Sequence, residues 1–405
     1  MSSVVVIGGG AAGMAAAIAA AMCGDRVIVL EHMDRVGKKL LATGNGRCNL
    51  MNAGQLRYPG GGSFAGEVLT RCGAQEQKRF WHTLGLRIRQ EDGGRIYPVS
   101  GAASTVLDTL RQAMRLLDVE IVTNANVNSI RRTNKGWAVE ADRVYNAHRV
   151  IVAGGGCAQP KLGSNGSAYD LLTALGHTMT ELKPALTQII TDTSPIRGLS
   201  GIRARCRVSI TNGNGEKVRQ NGELLFADYG VTGVCVMQCA RWAESGDIFH
   251  IDLTRAMGLE NAQELLAELQ RRRDTWGEGM TALDLLTGLC VPKLAQVLMK
   301  QAGIDRAGDR PAGSLNARQL REICALAEDF TLRIRGVKDF ENAQVTAGGL
   351  CCCEFDANTM ASRLVPGIHA AGEILDVDGD CGGFNLMFAF GSGILAGLNG
   401  RKIPW

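Results

Sequence analysis

"SVVVIGGGAAGMAAAIAAAMCGDRVIVLE", residues 3–31, is the stretch on which the fold class turns. Val4 to Ile7 form an unbroken apolar run, the pattern of a parallel strand buried on both faces. Gly8, Gly10 and Gly13 follow as G-x-G-x-x-G, where such a strand would turn into a helix. The first glycine permits the tight turn, the second lets a pyrophosphate approach the backbone, and the third lets helix pack on strand. Ala11 and Ala12 open a run to Met22 that is mostly alanine, a slim and strong helix former. Gly24 suits the position just past the end of that helix. The free N–H groups and positive dipole end at its start would face phosphate. Val27 to Leu30 predict a second strand with Glu31 at its tip. A carboxylate there accepts hydrogen bonds from ribose hydroxyls and repels a 2′-phosphate. Strand, helix, strand and acid in this order predict a dinucleotide-binding βαβ unit, with NADP disfavoured as its ligand.

Around this unit lie 405 residues, too many for one compact core, which predicts two or three domains. Hydrophobic residues are 45% and charged ones 21%, as in an ordinary globular protein. The 52 glycines exceed the usual share of about 7%, and they fall in discrete motifs with only 9 prolines, so the chain is not of low complexity. A net charge of +4 is too mild to imply nucleic acid. Arg203, Arg205 and Arg207, and Arg271 to Arg273, read as solvated faces rather than as a phosphate-backbone site. Three of the 13 cysteines are consecutive (Cys351 to Cys353), others sit in apolar runs, and none forms a C-x-x-C pair. That placement predicts reduced thiols in a cytoplasmic protein. The apolar segment after Gly10 lacks a basic flank and is broken by glycine, so it does not read as a signal peptide. No apolar run is long enough to span a bilayer, and no membrane partner is expected.

FAD and NAD share an adenosine diphosphate, and three later segments favour FAD. In "LLATGNGRCNL" (40–50), Gly44 and Gly46 offer bare backbone N–H groups beside a passing dinucleotide. Arg47 would offset phosphate charge, and Asn45 and Asn49 would hydrogen-bond ribityl or ring atoms. In "RVIVAGGGCAQPKLGSNG" (149–166), a predicted strand from Val150 to Ala153 runs into Gly154 and Gly155, a second place for close approach. In "VPGIHAAGEILDVDGDCGGFNLMFAFGSGILAGLNG" (365–400), a short strand from Ile368 to Ala371 ends at Gly372 and Glu373, a carboxylate placed for ribityl hydroxyls. Gly382 and Gly383 then open an almost wholly apolar helix, whose N-terminus would stabilise negative charge on a reduced flavin ring. No second G-x-G-x-x-G follows. A nicotinamide donor, NAD(P)H, would therefore bind transiently, or the substrate itself is the reductant.

Four motifs, "GKKLLATGNGRCNL", "GRIYPVSGAASTVLDTL", "GELLFADYGVTG" and "VTAGGL…TMASRLVPGIHAAGEILDVDGDCGGFN", occur in one order along nearly the whole chain. The chain in this respect resembles the bacterial NAD(P)/FAD-dependent oxidoreductases of the BaiN and aminoacetone-oxidase type. The resemblance implies an α/β fold: a discontinuous, Rossmann-like FAD-binding domain of glutathione-reductase-like topology with an inserted β-barrel and helical domain. The boundaries so expected are 1–187 and 336–405 for the FAD domain and 188–335 for the insert. The cofactor-binding set is completed by Lys39, Thr43, Cys48, Val127, Ala153, Asp376, Phe384, Asn385 and Leu386. Family members named for aminoacetone oxidation and for dehydro-bile-acid reduction catalyse different chemistry, so membership does not fix a substrate. Cys381 departs from the hydroxyl, aromatic or small residue that usually stands before the late Gly-Gly-aromatic-Asn.

The insert has its own texture. Cys206, Val208 and Ile210 alternate with polar residues and lead into an Asn-Gly turn at Asn212-Gly213, which predicts an antiparallel hairpin. "DIFHIDLT" (247–254) adds a strand. "NAQELLAELQRRRDTW" places Leu265, Leu266 and Leu269 on one helix face. "SLNARQLREICALAEDF" starts at a capping Asn316 and buries Leu320, Ile323, Cys324 and Ala327. Such an insert would cover the flavin ring and choose the substrate, or serve dimerisation.

No side chain identifies itself as a catalytic acid or base. Cys48 beside Arg47 reads as a small loop-filling residue rather than a reactive thiol, and Cys381 has no second cysteine at disulfide-reductase spacing. The six histidines include no pair at metal-ligand spacing, and His369 reads as a satisfied core histidine. Tyr97 stands equally for a substrate hydrogen bond or for packing before Pro98. The redox chemistry would be the flavin's own. The sequence thus supports an FAD-dependent oxidoreductase acting on a small organic molecule, by NAD(P)H-dependent reduction of an unsaturated compound or by O2-dependent amine oxidation. A flavin-containing RNA-modifying or regulatory protein, and an NAD-binding protein without flavin, are the readings from other classes.

Overall fold

The computed structural model describes residues 2–405. They divide into two compact units, one built from the chain up to Pro184 together with Ala343–Trp405, the other from Ala185–Asn342. The return crossing falls later than the 336 expected from sequence. The strand Phe330–Val337 runs through that point and pairs with Ile189–Thr191, so its residues belong to the inserted unit.

The first unit is centred on a five-stranded sheet in the order Ile368–Ala370, Arg149–Val152, Ser3–Ile7, Arg26–Leu30 and Glu120–Val122. Every neighbouring pair is parallel. The Val-rich runs are buried on both faces, as their lack of alternation requires. The first helix, Ala11–Met22, ends where Gly24 takes a φ of 83° and donates its N–H to Ala21. Its alanines allow the last helix, Phe384–Leu398, to lie against it at very short range. A Cβ on Gly393 would stand 2.2 Å from the Ala12 carbonyl oxygen, and one on Gly397 would stand 2.3 Å from that of Ala16. Chain start and chain end are thereby interlocked within one unit.

The far end of the last helix is fixed by a buried cation. Arg149 donates from Nη1 to the Ala396 carbonyl and from Nη2 to that of Gly397, both at 2.7 Å, satisfying acceptors that the helix itself leaves open. Its Nη2 also lies 2.6 Å from Asp25, which Arg401 reaches as well. Burial works against the Asp25 carboxylate, but hydrogen bonds from Arg401 and Arg149 hold its pKa below the ordinary value.

The second unit is a closed six-stranded antiparallel barrel, ordered Ile189–Thr191, Gly230–Thr232, Gly215–Ala227, Arg203–Asn212, Ile248–Asp252 and Phe330–Val337. Cys206, Val208 and Ile210 point inward and are buried with Phe226, Phe249 and Phe330. The hairpin turn sits one residue beyond the Asn-Gly expected from sequence. Asn212 pairs with Gly215, so Gly213 and Asn214 form the loop, and Gly215 rather than Gly213 takes the positive φ, 113°. Four helices accompany the barrel: the short Val234–Cys239, then Ala262–Trp276, Pro292–Gln301 and Ala317–Glu328. Asn316 caps the last of them through a full capping box with Gln319, and Leu320, Ile323, Cys324 and Ala327 are its buried residues.

Candidate dinucleotide site

Parallel strands deliver their carboxyl ends to one edge of a sheet, and ligands of such folds bind outside that edge. Here four strands do so together. Gly8 after the first strand, Glu31 after the second, Ala153 after Arg149–Val152, and Ala371 after Ile368–Ala370 all line one groove. It holds about 1040 Å³ of empty space counted to its open mouth.

The three glycines of the first turn have three separate reasons to be glycine. Gly8 has a φ of 99°, and a Cβ there would meet the Ala153 carbonyl oxygen at 2.5 Å. A Cβ on Gly13 would lie 1.9 Å from the Gly8 oxygen, so only glycine lets the first helix sit down on its strand. Gly10 has an ordinary φ of −80° and no protein atom within 4 Å of where its Cβ would stand. Packing therefore does not demand glycine at Gly10; the space it leaves bare opens on the groove it lines. No side chain caps the first helix and no acidic residue lies in its first turn. Its leading N–H groups are left to a ligand of negative charge.

Glu31 is set in place by two backbone donors, Gly9 N–H to Oε2 at 2.7 Å and Met33 N–H to Oε1 at 2.8 Å. Oε2 keeps a further lone pair for a hydroxyl, while Oε1 also has His32 Nδ1 at 3.3 Å. Elsewhere in the groove Lys39 Nζ meets Glu373 Oε2 at 2.6 Å and Ser164 Oγ at 3.4 Å, while Glu373 Oε1 accepts from Thr346 N–H at 2.9 Å. At the head of the last helix, Asn385 bridges the Gly379 N–H and carbonyl, both at 2.8 Å.

Of the residues singled out from sequence, Gly8, Gly10, Ala11, Ala12, Glu31, Lys39, Thr43, Ala153, Gly154, Gly155, Glu373, Asn385 and Leu386 line this groove. Gly13 and Gly372 lie behind its wall, the latter with its Cβ position 2.8 Å from Ala12 Cβ. The 44–49 loop is placed otherwise. Gly44, Asn45, Gly46 and Cys48 all take positive φ, which coils the loop tightly on itself. Arg47 turns to Glu91, Nη2 to Oε1 at 2.6 Å, and its guanidinium lies 4.1 Å from the centre of the Tyr97 ring. It is a partner of those two side chains rather than a neighbour of the groove. Tyr97 is buried beneath it.

Asn49 is the exception in that loop. Its Oδ1 is buried without a hydrogen-bond partner, and a Cβ on Gly383 would lie 2.7 Å from it. An orphaned acceptor at a helix head is costly unless a ligand donor meets it. Gly382, next to it, gives its carbonyl to Asn52 Nδ2 at 2.9 Å. Phe384 gives its carbonyl to Tyr58 at 2.7 Å. Asp376 serves through its backbone, accepting from Cys352 Sγ at 3.4 Å. Val127 packs, partly buried, against the hydrophobic core.

The cysteines are all free thiols. Burial pushes both Cys48 and Cys381 up to about 12, so neither is a thiolate near neutral pH. His369 is buried, bonded through Nε2 to Asn399 Oδ1 at 3.0 Å, and burial lowers its pKa to about 4. Residues the sequence reading missed include His32, Met33 and Arg35, which follow Glu31 off the second strand, and Ser164, Phe388 and Ala389. Adjacency to the strand end could have found the first three; only the tertiary fold reveals the others. Among the described residues no helix is long and apolar enough to cross a membrane.

Fold and groove together define a nucleotide-binding oxidoreductase of the Rossmann flavoprotein type. Within that class, the chain belongs to the HI0933-like protein Rossmann domain family, whose model matches residues 2–399. It is 36% identical, over all of both chains, to the 3-dehydro-bile acid delta(4,6)-reductase of Clostridium scindens. It is 25% identical to the ribosomal RNA dihydrouridine synthase of Escherichia coli, over 96% of this chain and 95% of that one. Among solved structures, an open conformation of a flavocytochrome c3 fumarate reductase is similar with a TM-score of 0.48 and 17% identity, covering 100% of this chain and 78% of that one.

Proposed function

We propose that the protein is an FAD-dependent reductase that saturates a carbon–carbon double bond conjugated to a carbonyl in a small molecule, with NAD(P)H as its transient donor. The observation that carries the reading is the bare Gly10 position, an amide at an uncapped helix head opening on the groove where four parallel strands end. When bound, FAD supplies the hydride-transferring ring. The chain's own part is binding and orientation. The N–H groups following Gly10 hold the pyrophosphate, and Glu31, fixed by Gly9 and Met33, accepts from the adenosine ribose. Glu373 and Lys39 stand for the ribityl chain. Asn49, with its orphaned Oδ1 against Gly383, accepts a donor at the ring end. Leu386 and Phe388 exclude water from the groove.

The substrate class is supported by the relatives' names. A 3-dehydro-bile acid delta(4,6)-reductase acts on a ring ketone with ring double bonds, and a dihydrouridine synthase saturates a pyrimidine. Both relatives reduce a carbon–carbon double bond within a ring that bears a carbonyl. The second name also favours a second reading, in which that ring is a uridine in RNA.

Anaerobic mixing separates these. NADPH or NADH should bleach the flavin, and a 3-oxo-4-ene steroid should restore its colour. Restoration by a uridine-containing transcript alone would favour the RNA reading. Bleaching by an amine and by neither nicotinamide would overturn the proposal in favour of an oxidase.

A further inference from the structure

A second hollow lies in the first unit, apart from the dinucleotide groove and sharing no wall residue with it. It encloses about 1180 Å³ counted to its open mouth. The helix Ala74–Thr83 forms one wall, residues 86–90 another, and Ile96 and Trp405 complete it. Its floor is apolar, with Leu86 and Ile96 buried. The Trp405 ring is 5.2 Å from that of Phe80, and its indole N–H is buried with no hydrogen-bond partner.

The rim is cationic. Gln75, Lys78, Arg79 and His82 follow one another at helical spacing on one face, and Arg87 and Arg89 come from the next segment. No Asp or Glu lines the hollow. Arg79 is paired with Glu76 and Arg89 with Glu91, whereas Lys78 and Arg87 have no carboxylate partner among the described residues. An apolar floor rimmed by cations, two of which (Lys78 and Arg87) lack a carboxylate partner among the described residues, suits an aromatic base linked to a dianionic phosphate.

We infer that this hollow binds the adenosine 2′-phosphate portion of NADPH. The inference rests on the reading that a nicotinamide donor feeds the enzyme. Glu31 repels a 2′-phosphate from the first site, and no second G-x-G-x-x-G exists, so the donor needs other ground. The location suits it. Ile96 belongs to the strand Arg95–Pro98, which pairs with Met51–Asn52. The Met51 carbonyl in turn lies against Gly383, the cap of the last helix, where a Cβ would come within 2.7 Å of it. The hollow is therefore one strand away from the helix head assigned to the flavin ring. The cation excess selects NADPH over NADH.

The test uses flavin-loaded protein and the probe 2′,5′-ADP, with binding followed by calorimetry. Wild type should bind the probe more tightly than it binds 5′-AMP. The double variant Lys78→Glu, Arg87→Glu should lose at least about tenfold in affinity for the probe, with flavin content unchanged. Its KM for NADPH should rise by a similar factor while kcat and the KM for NADH hold. Equal affinity in wild type and variant would overturn the inference, as would an unchanged KM for NADPH, which leaves the reductase reading intact. Should neither nicotinamide reduce the flavin, the proposed function fails, and charge-dependent binding of 2′,5′-ADP would still support a 2′-phosphate site here. An unstructured RNA oligomer that binds in a charge-dependent way, where 2′,5′-ADP does not, would overturn it in favour of RNA.

Discussion

Replacing Gly10 by alanine separates binding from folding. The backbone there (φ −80°, ψ −169°) is open to any L-residue, and the new methyl would meet no protein atom within 4 Å. Folding should tolerate it, and the stiffer unfolded chain should add about 0.4–1 kcal/mol to apo stability. The methyl would instead stand where the pyrophosphate approaches the amides. Loss of one charge-assisted hydrogen bond is worth about 1.5–3 kcal/mol, or roughly 10- to 150-fold in Kd for FAD. Gly13→Ala is the contrast, because its methyl would lie 1.9 Å from the Gly8 carbonyl oxygen. Forcing backbone apart there should cost about 1–3 kcal/mol of apo stability. Thermal unfolding of stripped and FAD-loaded protein, with an FAD titration for each variant, reads both effects. A G10A protein that holds FAD as tightly as wild type would refute the assignment of pyrophosphate to this turn. So would one whose stripped form is destabilised as much as G13A.

His369 gives a pH dependence. Its pKa is about 4 when folded, against an ordinary value of 6.5, so between these values the unfolded chain binds a proton that the native state excludes. Its contribution is fully present above about pH 6.5 and is lost as pH falls toward 4, by on the order of 3 kcal/mol; urea midpoints measured across that window should show a shallower slope for His369→Asn. Thiol labelling of native protein near pH 8 should reach exposed Cys353 early and buried Cys48 and Cys381 only on unfolding, and early labelling of Cys48 would contradict its burial. Asn316→Ala removes a full capping box and should cost about 1 kcal/mol in the barrel unit, read by chemical denaturation.

What the sequence made legible was local. The first βαβ unit could be read because each feature, from the Val4–Ile7 run to Gly24 and Glu31, carries its cause within a few residues. The same holds for Asn316 and the buried face of its helix. What it hid depends on distant partners. Arg47 looked like a phosphate ligand because Glu91, which holds it, lies 44 positions away and carries no signal of pairing. Gly215, not Gly213, took the positive φ because the strand register shifts between Ile210 and Thr211, pairing Asn212 with Gly215 and moving the loop by one residue. The orphaned oxygen of Asn49 and the cationic hollow at Lys78 and Arg87 exist only once separate segments meet.

The central claim is that amides and small side chains from both ends of the chain grip one FAD. The direct measurement is the flavin content of purified, folded protein, read from absorbance before and after denaturation with the released nucleotide identified by mass. The expected result is one FAD per chain, held by wild type and largely lost in G10A. A colourless protein that refuses FAD supplied in excess, yet binds NAD, would contradict it.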